Sequence, residues 1–228
     1  MSRSRGPVAL AIVSATALLV LTVLVAIGAT QRIDVAARDY FRPGDEWGSL
    51  QMRVDVLVEG LKPRNVAPLM ALVGIGASLL QRSWRPAVYV AAIAFTAGAL
   101  TLLTKLVTER SDPHYEMTAI GGSFPSGHTM GVLVLLGAAV LVFSERSRWW
   151  EWVVVVVAGL GMGFALLVQA AHWLTDVVGG VLLAVTVLSL ASVSLLRSSR
   201  TEAVTSESRG SASLSRDDPV GGRSRGAR

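Results

Sequence analysis

Six apolar stretches dominate the chain: 6–30, 66–80, 87–107, 126–143, 153–171 and 173–196. In a bilayer no water satisfies backbone N–H and C=O groups, so a spanning segment must satisfy its own, as a helix does. The chain is 52% hydrophobic, far above what a soluble protein of 228 residues buries. The expected fold is therefore all-α, a six-span transmembrane helix bundle in the cell membrane.

Charge placement orients the bundle. Arg3 and Arg5, Arg82 and Arg85, Arg146 and Arg148, and Arg197 and Arg200 flank alternate ends of the apolar runs, the pattern of cytoplasmic flanks. Both termini are expected on that side. The first run is too long for the apolar core of a cleaved signal peptide, about 7–15 residues, and reads as a retained helix. The expected organisation is a first span within 1–30, an outward loop over 31–65, a five-span core over 66–196 and a disordered tail over 197–228. In the loop, Leu50, Val54, Leu57, Val58 and Leu61 recur at helical spacing, which predicts an amphipathic helix on the membrane or against the bundle. The tail is rich in Ser, Arg and Gly with little to bury. The net charge of +5 comes largely from arginines in this tail and beside the spans, so it marks topology and membrane lipids as partners rather than nucleic acid. No cysteine is present, which excludes disulfides and thiolate metal sites.

Two polar stretches interrupt the apolar pattern on the outward side. The first is Gly121-Gly122-Ser123-Phe124-Pro125-Ser126-Gly127-His128-Thr129-Met130. Pro125 disfavours helix at Phe124, and Ser126 is a good N-cap, so a helix starts here. Free N–H groups and the positive dipole end make such a start an anion cradle, with Gly127 giving close approach and His128 in the first turn. The second stretch is His172-Trp173-Leu174-Thr175-Asp176. Its imidazole and carboxylate are four residues apart, on one helix face. A carboxylate there accepts from one ring nitrogen, fixes the tautomer and leaves the other nitrogen as a nucleophile. Lys105, near the end of the third apolar run, is one of only two lysines, the other being Lys62.

Pro-Ser-Gly-His followed by His-x3-Asp, both at helix starts, resembles the type 2 phosphatidic acid phosphatase (PAP2) superfamily. A third motif of that family, Lys-x6-Arg-Pro, is matched by Lys105 and Pro113, with Asp112 at the arginine position. The resemblance implies the helical core shared by PAP2 enzymes and vanadium haloperoxidases; six spans in a small chain point to the lipid phosphatase branch. It implies that His172 attacks phosphorus to form a phosphohistidine, Asp176 orients it, and His128 protonates the leaving oxygen. Lys105, Ser126 and Gly127 would hold the phosphate oxygens, with no metal and no cofactor. The substrate class implied is a lipid phosphate or diphosphate, such as an isoprenyl diphosphate, phosphatidic acid or phosphatidylglycerol phosphate.

Two departures accompany the resemblance. Asp112 replaces one phosphate arginine, and Leu166, preceded by Ala165, stands six residues before His172, where the family's His-x3-Asp motif carries another. Two lost charged hydrogen bonds remove about 3–6 kcal/mol, on the order of a hundred-fold to ten-thousand-fold in rate. Arg110 is the expected substitute as a phosphate ligand, held in place by Asp112, with Gln169 and His114 as further neutral donors. The alternative is a non-catalytic or weakly catalytic relative that binds lipid headgroups.

Overall fold

The computed structural model describes residues 5–116, 121–144 and 148–214, with side chains through residue 195. The described residues form eight α-helices and no strand: α1 (Arg5–Ala26), α2 (Gln31–Phe41), α3 (Ser49–Gly60), α4 (Pro63–Leu80), α5 (Arg85–Thr108), α6 (Gly127–Phe143), α7 (Trp149–Val168) and α8 (Leu174–Leu214). A single 3₁₀ turn, Pro43–Asp45, lies between α2 and α3.

Helices α1, α4, α5, α7 and the Leu174–Leu195 part of α8 are long and apolar enough to cross a membrane. The protein is a multi-pass membrane protein. The sixth apolar helix, α6, has 17 residues, about 25 Å at ~1.5 Å per residue, the short end of a span. It packs against α4, α5, α7 and α8, so protein rather than lipid surrounds much of it. Helix α1 lies along α8, where Thr186 Oγ1 donates to Ser14 Oγ at 2.9 Å. Outward side chains such as Leu72, Leu79, Phe95 and Leu160 are exposed and form the hydrocarbon-facing surface. At the start of α7, Trp149 and Trp150 are exposed as an interfacial belt requires, whereas Trp152 packs against the core.

The long first loop is more structured than its sequence suggests. Helix α2, crowded with Arg32, Asp34, Arg38 and Asp39, is unexpected. Helix α3 packs against α7, with Val54, Val58 and Leu61 joining a cluster that includes Val132, Met162, Leu166 and Val177. Leu50 and Leu57, from the same stripe, remain exposed. At the other end of the chain, α8 continues as helix to Leu214 where a disordered tail is expected from Arg197. Extending an existing helix adds one bond per residue without a new nucleus, which allows a polar continuation. Residues 215–228 lie outside the described residues.

Connectivity places one set of termini together. The C-terminal ends of α5 and α7, the N-terminal ends of α6 and α8, and the α2–α3 loop all sit at the same end of the bundle. Glycines set the spacing. A Cβ on Gly159 would lie 2.4 Å from Leu133, and one on Gly163 2.6 Å from Val177. A Cβ on Gly180 would meet the Ser126 carbonyl oxygen at 2.7 Å, while Gly161 has nothing within 4 Å. Gly180→Ala should therefore cost about 1–3 kcal/mol through a forced backbone shift. Gly161→Ala should be neutral or gain about 0.5–1 kcal/mol from helix propensity. Thermal unfolding of both variants in detergent measures the difference; equal midpoints would show that the α6–α8 approach is loose.

Candidate active site

The start of α6 is built as the sequence suggests. Ser126 is the N-cap with φ −64° and ψ 114°, and its Oγ accepts from Thr129 N at 3.4 Å. Ser126 N in turn donates to the Asp176 carbonyl oxygen at 2.9 Å, which seats the first motif directly on the second. Gly179 and Gly180 make this possible, because a Cβ on Gly179 would strike the Phe124 ring at 2.6 Å. Gly122 has a separate task. Its φ is +100°, and a Cβ there would lie 2.6 Å from Arg110 N. The absence of a side chain lets the 109–111 segment cross it, fixed by Ser123 N to Arg110 O at 2.7 Å and Ser123 Oγ to Ser111 O at 3.1 Å. Lys105, half-buried at the end of α5, donates from Nζ to the Gly122 carbonyl oxygen.

The two motif histidines meet. The rings of His128 and His172 are 5.9 Å apart, centroid to centroid, and inclined at 69°. His172 Nδ1 lies 3.3 Å from Asp176 Oδ2, which also accepts from Trp173 N at 3.1 Å. With Nδ1 on the carboxylate, Nε2 is the nitrogen left for attack. His128 Nε2 is buried and has no hydrogen-bond partner among the described residues. An unpartnered buried nitrogen is costly unless a ligand completes it.

Arg110 is not held by Asp112. Asp112 Oδ1 instead accepts from the His114 and Glu116 backbone N–H groups, at 2.9 Å each, and closes its own turn. Arg110 Nη1 donates to Thr175 Oγ1 and Asp176 Oδ1, each at 2.7 Å, and Nη2 donates to Asp34 Oδ2 at 2.6 Å. The guanidinium also lies 5.4 Å from the Trp173 ring centroid. Two buried carboxylates thus claim the side chain expected on phosphate. Asp34, from α2, is fully buried and receives Thr175 N at 2.9 Å and Thr175 Oγ1 at 2.8 Å. Asp34 and Thr175 are residues that sequence reasoning missed. Nothing local distinguishes Asp34 from Asp39 or Asp45, since its partners lie far along the chain.

The other expected donors are engaged elsewhere. Gln169 Nε2 donates to Asp55 at 2.9 Å, and the Gln169 carbonyl accepts from Arg42 Nη1 at 2.5 Å. His114 lies beside Arg42 and Asp45. Leu166 is fully buried in the apolar α3–α7 cluster, so an arginine's position has become core. At the α3–α4 turn, Lys62 pairs with Glu59, and its ammonium holds that exposed carboxyl below its usual range. Pro63 packs on α6 beside His128, since a Cβ on Gly127 would lie 3.2 Å from its Cγ. No group of His, Asp and Glu suited to a metal ion occurs among the described residues.

The family model for the PAP2 superfamily matches residues 70–200. The chain belongs to the PAP2 superfamily. No curated protein sequence matches it. Among solved structures, it is similar to the first transmembrane PAP2 type phosphatidylglycerolphosphate phosphatase from Bacillus subtilis. The two share 19% identity at a TM-score of 0.69, over 80% of this chain and 94% of the other. That likeness establishes the transmembrane PAP2 fold. The matched region holds every motif residue, yet begins after Asp34, so one of the two carboxylates that grip Arg110 comes from outside it.

Arg110 separates two buried carboxylates, and its side chain is only 11% exposed. Removing one partner of a buried ion network costs about 3–5 kcal/mol, because the remaining charges stay uncompensated. Arg110→Ala should lower the unfolding free energy in detergent by that amount, and Asp112→Ala by well under half of it. Equal losses would show that the Asp34–Arg110–Asp176 network contributes nothing beyond a surface pair.

Proposed function

We propose that this PAP2 protein is an integral-membrane phosphatase that hydrolyses a lipid phosphate or diphosphate through a phosphohistidine. The observation that carries this reading is the convergence of His128 and His172, ring to ring at 5.9 Å, with Asp176 on the far nitrogen of His172. Family membership and the fold of the Bacillus subtilis phosphatidylglycerolphosphate phosphatase support the class of reaction. Isoprenyl diphosphate, phosphatidic acid and phosphatidylglycerol phosphate differ in parts that meet apolar helix walls, so the class is assigned at the phosphate.

In this mechanism His172 Nε2 attacks phosphorus as the bond from phosphorus to the leaving oxygen breaks. His128 donates a proton to that oxygen, and Asp176 stabilises the charge that develops on His172. Water then gives a proton to His128 and attacks the phosphohistidine. The N–P bond breaks and inorganic phosphate leaves. The backbone N–H groups of Gly127 and His128, the dipole of α6 and Lys105 meet the equatorial oxygens. The site faces the extracytoplasmic side, on the distribution of arginines at the opposite ends of the spans.

A weakly catalytic lipid-binding relative is the second reading. It is favoured by Leu166 in the core and by Arg110 turned onto carboxylates, which leave Lys105 as the matched full charge. Phosphate release by purified protein from the three lipid types separates the readings. Wild type should release phosphate from at least one, His172→Ala should release none, and an acid-labile phosphoprotein should form only with His172 present. No release from any lipid favours the second reading.

The side of the membrane has its own test. The chain lacks cysteine, so a single introduced thiol reports its location without background. Tyr115, 65% exposed, lies at the site end, and Trp84, 71% exposed, lies at the other. In intact cells an impermeant thiol reagent should label Tyr115→Cys and spare Trp84→Cys. The reverse pattern would place the site on the cytoplasmic face.

A further inference from the structure

We propose that Asp34, on α2 and outside the matched PAP2 region, is a positioning residue that holds the nucleophile's carboxylate through Arg110. This rests on the phosphatase reading above for its catalytic consequence, though not for its structural one. Three groups, Asp34, Arg110 and Thr175, close a ring at the start of α8, and Asp176 is tied to it through Arg110. Asp34 Oδ2 accepts from Arg110 Nη2 at 2.6 Å and from Thr175 Oγ1 at 2.8 Å. Arg110 Nη1 donates to Thr175 Oγ1 and to Asp176 Oδ1, each at 2.7 Å. Asp34 Oδ1 takes Thr175 N at 2.9 Å, capping α8 from another helix.

The ring decides which oxygen of Asp176 serves His172. Arg110 occupies Oδ1, so Oδ2 is left for His172 Nδ1 at 3.3 Å and Trp173 N at 3.1 Å. Charge-assisted hydrogen bonds of this kind are short and directional, and they fix the carboxylate's rotation. Without Asp34, the guanidinium would face Asp176 as its sole acidic partner in the network. It would then compete with His172 for both oxygens. Shared between two carboxylates, the guanidinium anchors Asp176 while leaving one oxygen's charge available to the imidazole. Arg110 thus acts on the reaction through Asp176, as part of the nucleophile's support.

An alternative is that Asp34 merely staples α2 to α8. A staple would change the amount of folded protein and leave the folded protein's chemistry alone. Two readouts on full-length protein in lipid nanodiscs separate these roles. The first is the His172 tautomer, read by 15N NMR of histidine-labelled protein and assigned by loss of its signals in His172→Asn. In the neutral state wild type should show one tautomer, protonated at Nδ1; Asp34→Asn should show a mixture. The second is kinetics on the best lipid substrate, normalised to folded protein. Asp34→Asn should lower kcat about tenfold or more and change KM by less than about threefold, because Asp34 does not touch the phosphate.

Should Asp34→Asn fail to fold, Thr175→Val keeps side-chain shape but removes the hydroxyl that bridges Arg110 Nη1 to Asp34 Oδ2, leaving the single direct bond between Arg110 and Asp34 to hold the guanidinium. It should mix the tautomers and lower kcat in the same direction. If wild type releases no phosphate but Asp34→Asn or Thr175→Val still mixes the tautomers, the positioning role stands and the phosphatase reading fails. If the folded variants keep a single Nδ1-protonated tautomer, Asp34 is only a staple and the proposal is overturned, whatever the activity.

Discussion

One backbone hydrogen bond, from Ser126 N to the Asp176 carbonyl oxygen, joins the two halves of the site. It forms only because Gly179 and Gly180 let the α6 cap lie directly on the first turns of α8. The approach brings His128 opposite His172 and places the anion-attracting start of α6 beside both imidazoles. A side chain at either glycine would push the cap away and separate the imidazoles. The spacing of the two imidazoles is therefore a packing distance.

Charge neutralisation is the second constraint. Asp34, Arg110 and Asp176 are removed from solvent at the bundle end, where isolated charges are expensive. They are tolerated as a hydrogen-bonded set that includes Thr175 and the α8 backbone. With Lys105 included, the formal charges are two positive and two negative, so with neutral histidines the ring adds no net attraction for phosphate. In the proposed mechanism, binding would then fall to Lys105 and oriented backbone N–H groups, which are preorganised and need no compensating anion. The loss of an arginine at 166 fits this economy, since Leu166 instead packs α3 onto α7.

The rest of the bundle answers to lipid. Between membrane helices there is little hydrophobic driving force, because lipid tails are as apolar as leucine. Close packing takes its place, at Gly159 on Leu133, Gly163 on Val177 and Ser14 on Thr186. Gly161 shows the limit of reading such residues from spacing, since it alternates with the other two yet faces open space.

Much of this architecture was legible along the chain. Long apolar runs admit helices alone, the proline before Ser126 stops one structure and starts another, and i, i+4 spacing puts His172 and Asp176 on one face. These are local properties, fixed by backbone geometry and solvent, and the motif histidines followed from them. The role of Arg110 was not legible, because its choice among Asp34, Asp112, Asp176 and a phosphate is made by positions far apart in sequence. Asp112 was nearest along the chain, yet its own turn claims it through the N–H groups of His114 and Glu116. Asp34 won because α2 folds back over α8 and burial strengthens any charge pair it encloses. Sequence alone determined a membrane bundle with a histidine pair at one end; only the tertiary fold decided which carboxylates hold the arginine, because burial and proximity are properties of the assembled chain.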